Sequence, residues 1–215
     1  MYKKFGLVLP TIFATMMIYL LPTAFATAQQ VNITENMPFV DIRIKGRNYR
    51  IQRVQDTNNK LTNSFAKTSR KCPPFCIHPM AVAPGVQTVG EIEVINFLKD
   101  KVQKGTGVLV DARITAFFTK GTIPGSVNIP FTLMTKGNTT YMVRILSILG
   151  AVQNGGAWDF SNARELMLFC NGPWCDQSPR AIRGLLNVGF PARNLYYYRG
   201  GMQNWQALGL TTIKP

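Results

Sequence analysis

The stretch Leu166-Met-Leu-Phe-Cys170-Asn-Gly-Pro-Trp-Cys175-Asp-Gln-Ser178-Pro179-Arg180 constrains the fold more tightly than any other part of this sequence. Leu166 to Phe169 is an uninterrupted apolar run of the length that fills a central strand. Ser178 is a favoured helix N-cap and Pro179 a favoured first helical residue, so a helix is predicted to start there. Cys170 then lies at the carboxyl end of a strand, facing a helix N-terminus. Backbone N–H groups and the positive end of the helix dipole converge on such a place and stabilise an anion. A thiol held there is expected to have a lowered pKa, and the thiolate is its reactive form.

The chain has 215 residues. Its start reads as an export segment over residues 1–28. Lys3 and Lys4 precede an apolar run from Phe5 to Leu21, Pro22 breaks the run, and Ala26-Thr27-Ala28 is an A-x-A cleavage site. A periplasmic protein is expected, with membrane attachment only if that segment stays uncleaved. Residues 29–215 suffice for one domain with an extension. Loss of Lys3 and Lys4 lowers the formal charge from +14 to +12.

The positive charge is concentrated. Between Phe39 and Lys71 nine basic residues (Arg43, Lys45, Arg47, Arg50, Arg53, Lys60, Lys67, Arg70 and Lys71) face only Asp41 and Asp56. Such a surface attracts anionic partners. Export and the lack of a nucleic-acid-binding module argue against DNA and RNA, leaving a solvated basic face or a contact for an anionic membrane or an acidic protein.

Four cysteines form two close pairs, Cys72/Cys76 and Cys170/Cys175. An oxidising compartment permits disulfides, and the two local pairings are expected because they close short loops. Cys72-Pro-Pro-Phe-Cys76-Ile-His78-Pro79 also holds the only histidine. Its spacing fits no common zinc pattern and lacks C-x-x-C-H, so a structural disulfide is favoured over a redox pair or a metal site. No metal and no cofactor are implied.

Along the chain, Val40 to Val54 reads as a β-hairpin. Val40, Ile42 and Ile44 alternate with polar residues, and Lys45-Gly46-Arg47-Asn48 supplies the turn. An isolated hairpin is marginal in water, so it must pack on its own domain or on another subunit. Asp56 to Ser69 reads as an irregular arm. Thr88-Val-Gly-Glu91 is a capping box opening a helix with Ile92, Ile95 and Leu98 inward. Val108 to Val110 is a buried strand ending at Asp111, a short helix follows over Ile114 to Thr119, and Val127 to Ile129 is a small strand. Tyr141 to Leu149 is an amphipathic helix with Val143, Leu146 and Leu149 inward. After the cysteine loop, Pro179 to Val188 is helical, Leu195 to Tyr198 is a strand, and Gly200-Gly201 opens a last helix with Trp205. Strands alternating with helices predict an α/β domain with a mostly parallel sheet.

Several motifs carry a family resemblance. Val108-Leu-Val-Asp111-Ala-Arg113, Lys120-Gly-Thr-Ile-Pro-Gly-Ser-Val-Asn-Ile-Pro130, the cysteine loop and Tyr198-Arg-Gly-Gly-Met-Gln-Asn-Trp205 resemble the rhodanese-like domain in order and spacing over residues 85–215. Residues 29–84 form an N-terminal extension outside that core. Its Phe65-Ala-Lys-Thr-Ser-Arg70 and Cys-Pro-Pro-Phe-Cys segments resemble exported bacterial rhodanese-domain proteins. The resemblance implies a five-stranded, mostly parallel sheet with helices on both faces, and a sulfurtransferase whose loop cysteine, Cys170, accepts a sulfane sulfur. Asp111 and Arg113 match a D-x-R motif that supports the site, and Trp205 matches a packing residue.

This chain departs from the family pattern. Cys170 and Ser178 are eight residues apart rather than six, Asp176-Gln177 occupies the approach to the helix, and Thr122 stands in place of a histidine. No Arg or Lys lies inside the loop, and Arg180 lies beyond it. A Cys-x5-Arg phosphatase arrangement fails because position 176 is aspartate. Asn171 and Gly172 let the backbone turn and present N–H groups to the sulfur, and Trp174 shields the loop or meets a partner. Cys175 can resolve a modified Cys170, lock it in a disulfide, or act as a small buried hydrophobe. Three functions follow: a sulfurtransferase or persulfide carrier serving a small sulfur-containing anion and a thiol acceptor; a thiol–disulfide redox protein using Cys170 and Cys175; or a non-catalytic binding module contacting its partner through Arg43, Arg50 and Arg53.

Overall fold

The computed structural model describes residues 1–2, 31–135 and 139–215. The export segment expected at residues 1–28 therefore lies outside the described residues, apart from Met1 and Tyr2. In chain order the elements are β1 (Phe39–Ile44), β2 (Arg47–Gln52), β3 (Gln87–Val89), α1 (Glu91–Phe97), β4 (Gly107–Asp111), α2 (Thr115–Phe118), β5 (Val127–Asn128), α3 (Thr139–Ile148), β6 (Val152–Asn154), β7 (Ala157–Asp159), β8 (Glu165–Phe169), α4 (Gln177–Asn187), β9 (Leu195–Tyr198) and α5 (Gly201–Ala207).

Five strands form one sheet in the order β3-β9-β8-β4-β5, and every neighbouring pair is parallel. β8 is the central strand and is covered on both faces, which is why its sequence is continuously apolar. Leu166 and Leu168 join Leu195, Tyr197 and Val110 under α3 and α4. Met167 and Phe169 join Leu109 and Tyr198 under α1 and α5. The expected α/β sheet with helices on both faces is present.

The N-terminal hairpin completes the second of these layers. Ile42 and Ile51 are buried with Val94, Ile95, Leu98, Trp205 and Leu210. Burying two isoleucines is worth about 1.5–3 kcal/mol each, enough to hold a hairpin that is marginal alone. Polar ties reinforce the contact: Val54 N–H donates to the Gly209 carbonyl (2.8 Å), Thr211 N–H to the Gln52 carbonyl (3.0 Å), and Arg43 N–H to Gln103 Oε1 (2.9 Å). The hairpin thus packs on its own chain.

Several local expectations need correction. The hairpin turn is the two-residue Lys45-Gly46, with φ of 48° and 81°, so Arg47 and Asn48 belong to β2. Two successive positive φ values give the turn twist that matches the strands. Thr88 is not a cap: it lies in β3 opposite Tyr197, its hydroxyl donates to the Met80 carbonyl, and Gly90 precedes α1 with its N–H bonded to Glu93 Oε2. On α3 the inward residues are Met142, Leu146 and Leu149, whereas Val143 is exposed. Spacings of four and three keep those three side chains on one stripe. Gly155-Gly156, both at positive φ, join β6 and β7 in a second hairpin.

Candidate active site

Cys170 follows the last residue of β8, and the chain then turns through Asn171 to Asp176 into α4. The helix begins earlier than expected. Asp176 is its N-cap, and the Arg180 N–H reaches the Asp176 carbonyl at 2.9 Å. Ser178 therefore sits in the first turn rather than capping it, with Pro179 beside it, where a missing N–H loses no intrahelical bond. Freed from capping, the Ser178 hydroxyl is fully buried and donates to Cys170 Sγ at 3.2 Å.

The surroundings of Cys170 favour its thiolate. Burial alone would raise its pKa, but hydrogen bonds from the Cys175 thiol, the Ser178 hydroxyl and the Ser178 and Gly172 backbone N–H groups outweigh burial and lower it. As a thiol, Cys170 donates to the Cys175 carbonyl at 3.2 Å. Cys175 moves the other way: burial and the neighbouring Cys170 sulfur push its pKa up, so it remains a neutral proton donor. Tyr197 also stays neutral, through burial and then the charge on Cys170, and its buried hydroxyl has no partner among the described residues.

The two thiols are free, so the expected 170–175 disulfide is not formed. The loop backbone folds on itself between them, with Cys175 N–H bonded to the Gly172 carbonyl at 2.9 Å, and the Cys170 sulfur is directed toward Ser178. The other local pairing is present: Cys72 and Cys76 are disulfide-bonded, which removes both thiolates that a metal at His78 would require.

Asp111 and Arg113 brace the loop from below. Both are buried, and the guanidinium grips the carboxylate with Nε at 2.9 Å from Oδ1 and Nη2 at 2.6 Å from Oδ2. Arg113 Nη1 then donates to Asn171 Oδ1 at 3.3 Å, linking the D-x-R motif to the residue after the nucleophile. Thr122 donates to Asp111 Oδ2 at 2.8 Å, so the residue replacing the family histidine is a support for this pair. From the other side α5 closes on the loop, its Met202 and Gln203 N–H groups bonding the Cys170 and Asn171 carbonyls. Gly201, at φ 56°, is required there, because a Cβ would stand 2.4 Å from the Cys170 carbonyl oxygen.

A cavity of about 480 Å³ opens over the loop, lined by Asn171, Trp174, Cys175, Asp176 and Gln177. Cys170 is 1 % exposed and does not itself line the cavity, whereas Cys175 does. Access to its sulfur therefore requires the residues that cover it to shift. Asp176 is exposed and only weakly paired with Arg180, at 3.8 Å. Gln177 has its buried Oε1 without a partner among the described residues.

The opposite wall of the cavity comes from the N-terminal extension: Asn63, Ser64, Phe65, Arg70, Pro74 and Phe75. Phe75 meets the Trp174 ring edge-on at 5.4 Å, and the Arg70 guanidinium lies 4.3 Å over the same ring. His78 N–H bonds the Pro173 carbonyl at 2.9 Å, and Arg199 donates to the His78 carbonyl. Trp174 Nε1 is fixed by Gln203 Oε1 at 2.6 Å. The motifs of the sequence point to Trp174 but not to Arg70, Phe75, Lys120 or Gln203 as residues around the loop. The Phe65 to Cys76 motif was the available signal.

The basic hairpin is less free than its composition suggested. Arg50 pairs with Asp41 at 2.7 Å and stacks on Phe39, while Arg53 donates to the Leu208 and Asn32 carbonyls. Arg43, Lys45 and Arg47 are exposed.

Residues 95–208 match the family model for the rhodanese-like domain. No curated protein matches the sequence. Among solved structures, similar chains include a thiosulfate sulfurtransferase from Pseudomonas aeruginosa (19 % identity, TM-score 0.40, 60 % of this chain and 20 % of that one). Another is a human single-domain sulfurtransferase (21 % identity, TM-score 0.37, 56 % of this chain and 96 % of that one). A third is a Rhodopseudomonas palustris protein of unknown function, described as a possible tyrosine phosphatase (18 % identity, TM-score 0.38, 56 % and 80 % covered).

Proposed function

The chain belongs to the rhodanese-like domain family, and we propose that it is an exported sulfurtransferase or persulfide carrier in which Cys170 is the acceptor of a sulfane sulfur. The observation that carries this reading is geometric: a buried cysteine at the end of the central strand whose sulfur receives the Ser178 hydroxyl at 3.2 Å, an arrangement that also lowers its pKa. With thiosulfate as donor, the Cys170 thiolate attacks the outer sulfur. A Cys–S–S⁻ persulfide forms, the S–S bond of the donor breaks, and sulfite leaves with the bonding pair. A thiolate acceptor then attacks the outer persulfide sulfur and regenerates the Cys170 thiolate. The donors that hold the thiolate also stabilise the persulfide anion.

Export is supported by the basic-apolar-A-x-A order of the first 28 residues and by the Cys72–Cys76 disulfide, which an oxidising compartment sustains. No helix among the described residues is long and apolar enough to cross a membrane. The exposed Arg43, Lys45 and Arg47 suit an acidic partner protein.

A second reading is favoured by the position of Cys175. Its thiol adjoins the Cys170 sulfur, so it can pass its proton to the outer sulfur of a Cys170 persulfide and attack the inner sulfur as the thiolate. That step forms a Cys170–Cys175 disulfide and expels hydrosulfide; an external thiol must then reduce the pair.

The test is intact-mass analysis and peptide mapping of the reduced protein after exposure to thiosulfate or polysulfide. A 32-dalton adduct on Cys170 is expected, and a loss of two hydrogens across Cys170 and Cys175 marks the second reading. No adduct with any donor would sink the transferase.

A further inference from the structure

We propose that Arg70, contributed by the chain ahead of the rhodanese-like core, is the anion-binding residue of the cysteine cavity and makes it selective for a small sulfur oxyanion. The identity of the ligand as a sulfane donor rests on the sulfurtransferase reading; the anion site itself does not.

Arg70 is built into place. Its guanidinium stacks over the Trp174 ring at 4.3 Å and lies 5.2 Å from the Phe75 ring, and its Nη2 is tied to the Ser64 carbonyl at 2.6 Å. A guanidinium carries five N–H donors in a fixed plane. One is used by Ser64, and Nε is buried without a partner among the described residues. A buried, unpaired donor on a charged group is costly unless a ligand satisfies it. Trp174 and Phe75 pack against the guanidinium, so its remaining N–H donors serve a planar or tetrahedral oxyanion, the geometry that guanidinium forks fit.

Positive charge is in excess in the surroundings. Arg70 and Lys120 line the cavity over the loop against one acid, Asp176; Arg113 lines it too but is neutralised by Asp111. Arg70, Phe75 and Trp174 also line an adjoining groove with Lys67 and Arg199 and no acidic residue. The wall between the two spaces is therefore a cation. The loop itself supplies N–H donors but no positive side chain. The extension provides what the loop lacks, and its disulfide and Phe75–Trp174 contact hold it in register.

Two measurements on the full chain test this. In Cys170→Ala protein, where no sulfur transfer can occur, thiosulfate binding is followed by calorimetry. Arg70→Gln in that background is expected to weaken it by about 10- to 100-fold, the scale of one charge-assisted contact, with Arg70→Lys intermediate. Independently, alkylation of Cys170 is compared between anionic iodoacetate and neutral iodoacetamide. Arg70→Gln should lower the iodoacetate rate by the same factor and leave iodoacetamide within twofold. Arg70→Met, which keeps apolar contact with Trp174 but removes the charge and the N–H donors, should behave as Arg70→Gln does, separating charge from packing. Unchanged binding and an unchanged reagent ratio would overturn the proposal. If anion binding depends on Arg70 while no donor yields a persulfide, the anion site stands and the sulfurtransferase reading falls.

Discussion

Replacing Ser178 with alanine isolates the term that sets the reactivity of Cys170. The Ser178 hydroxyl donates to the Cys170 sulfur at 3.2 Å, and both groups are buried, so water cannot replace the lost donor. A hydrogen bond to a charged group is worth about 1.5–3 kcal/mol. At 1.36 kcal/mol per unit, the thiol pKa should rise by about 1–2 units in the variant. The assay is thiolate absorbance at 240 nm during a pH titration. Cys72 and Cys76 are disulfide-bonded and do not titrate, and Cys175 ionises far above Cys170, so the first transition belongs to Cys170. The same change must appear in stability with a defined sign. A thiol whose pKa is lowered on folding adds stability that is present above the unfolded value of about 8.5 and is lost as pH falls through the folded value. Ser178→Ala should thus lose about 1.5–3 kcal/mol more at pH 9 than at a pH below the folded Cys170 transition. A titration midpoint unmoved by the substitution, or a stability loss independent of pH, would refute the assignment of Ser178.

Three further outcomes are expected. Ile51→Ala, at a fully buried position of the hairpin, should cost about 2–5 kcal/mol in denaturant unfolding within a single transition, because β1 and β2 are part of the main core; an early separate transition would show that the hairpin is independent. Asp111→Asn strands the buried Arg113 charge and should cost about 3–5 kcal/mol, read as a shifted urea midpoint at unchanged slope. Replacing Cys72 and Cys76 together by serine opens a small loop worth about 2 kcal/mol on chain-entropy grounds; thiosulfate binding should weaken in parallel as Phe75 and Arg70 leave Trp174.

The sequence by itself determined the sheet and the place of the thiol. Leu166 to Phe169 could only be a two-face-buried strand, and the alternation of strands and helices around it left a parallel α/β sheet as the economical solution. Local turn and cap chemistry was less legible. Ser178 has the right chemistry for an N-cap, yet its hydroxyl serves the Cys170 sulfur, and the helix starts before it. Thr88 was likewise claimed by β3 pairing rather than by a cap, since a buried backbone in a sheet outweighs a cap's contribution of about 1 kcal/mol. Helical periodicity could not choose between Met142 and Val143, because they lie four and three residues before Leu146 and both spacings bring a side chain to its face.

Only the tertiary structure decided the company that Cys170 keeps. Arg70 lies 100 residues before it in sequence, and no local pattern relates the two. Arg70 reaches the cavity over the cysteine loop because β1 and β2 dock on the α1/α5 face, and the chain that follows them lies against Trp174 of the loop. Such long-range placement depends on burial summed over the whole fold, whereas a strand, a turn or a nucleophile's position depends on a few neighbours. Hence the thiol could be read from the sequence, while the cation beside its cavity required the assembled chain.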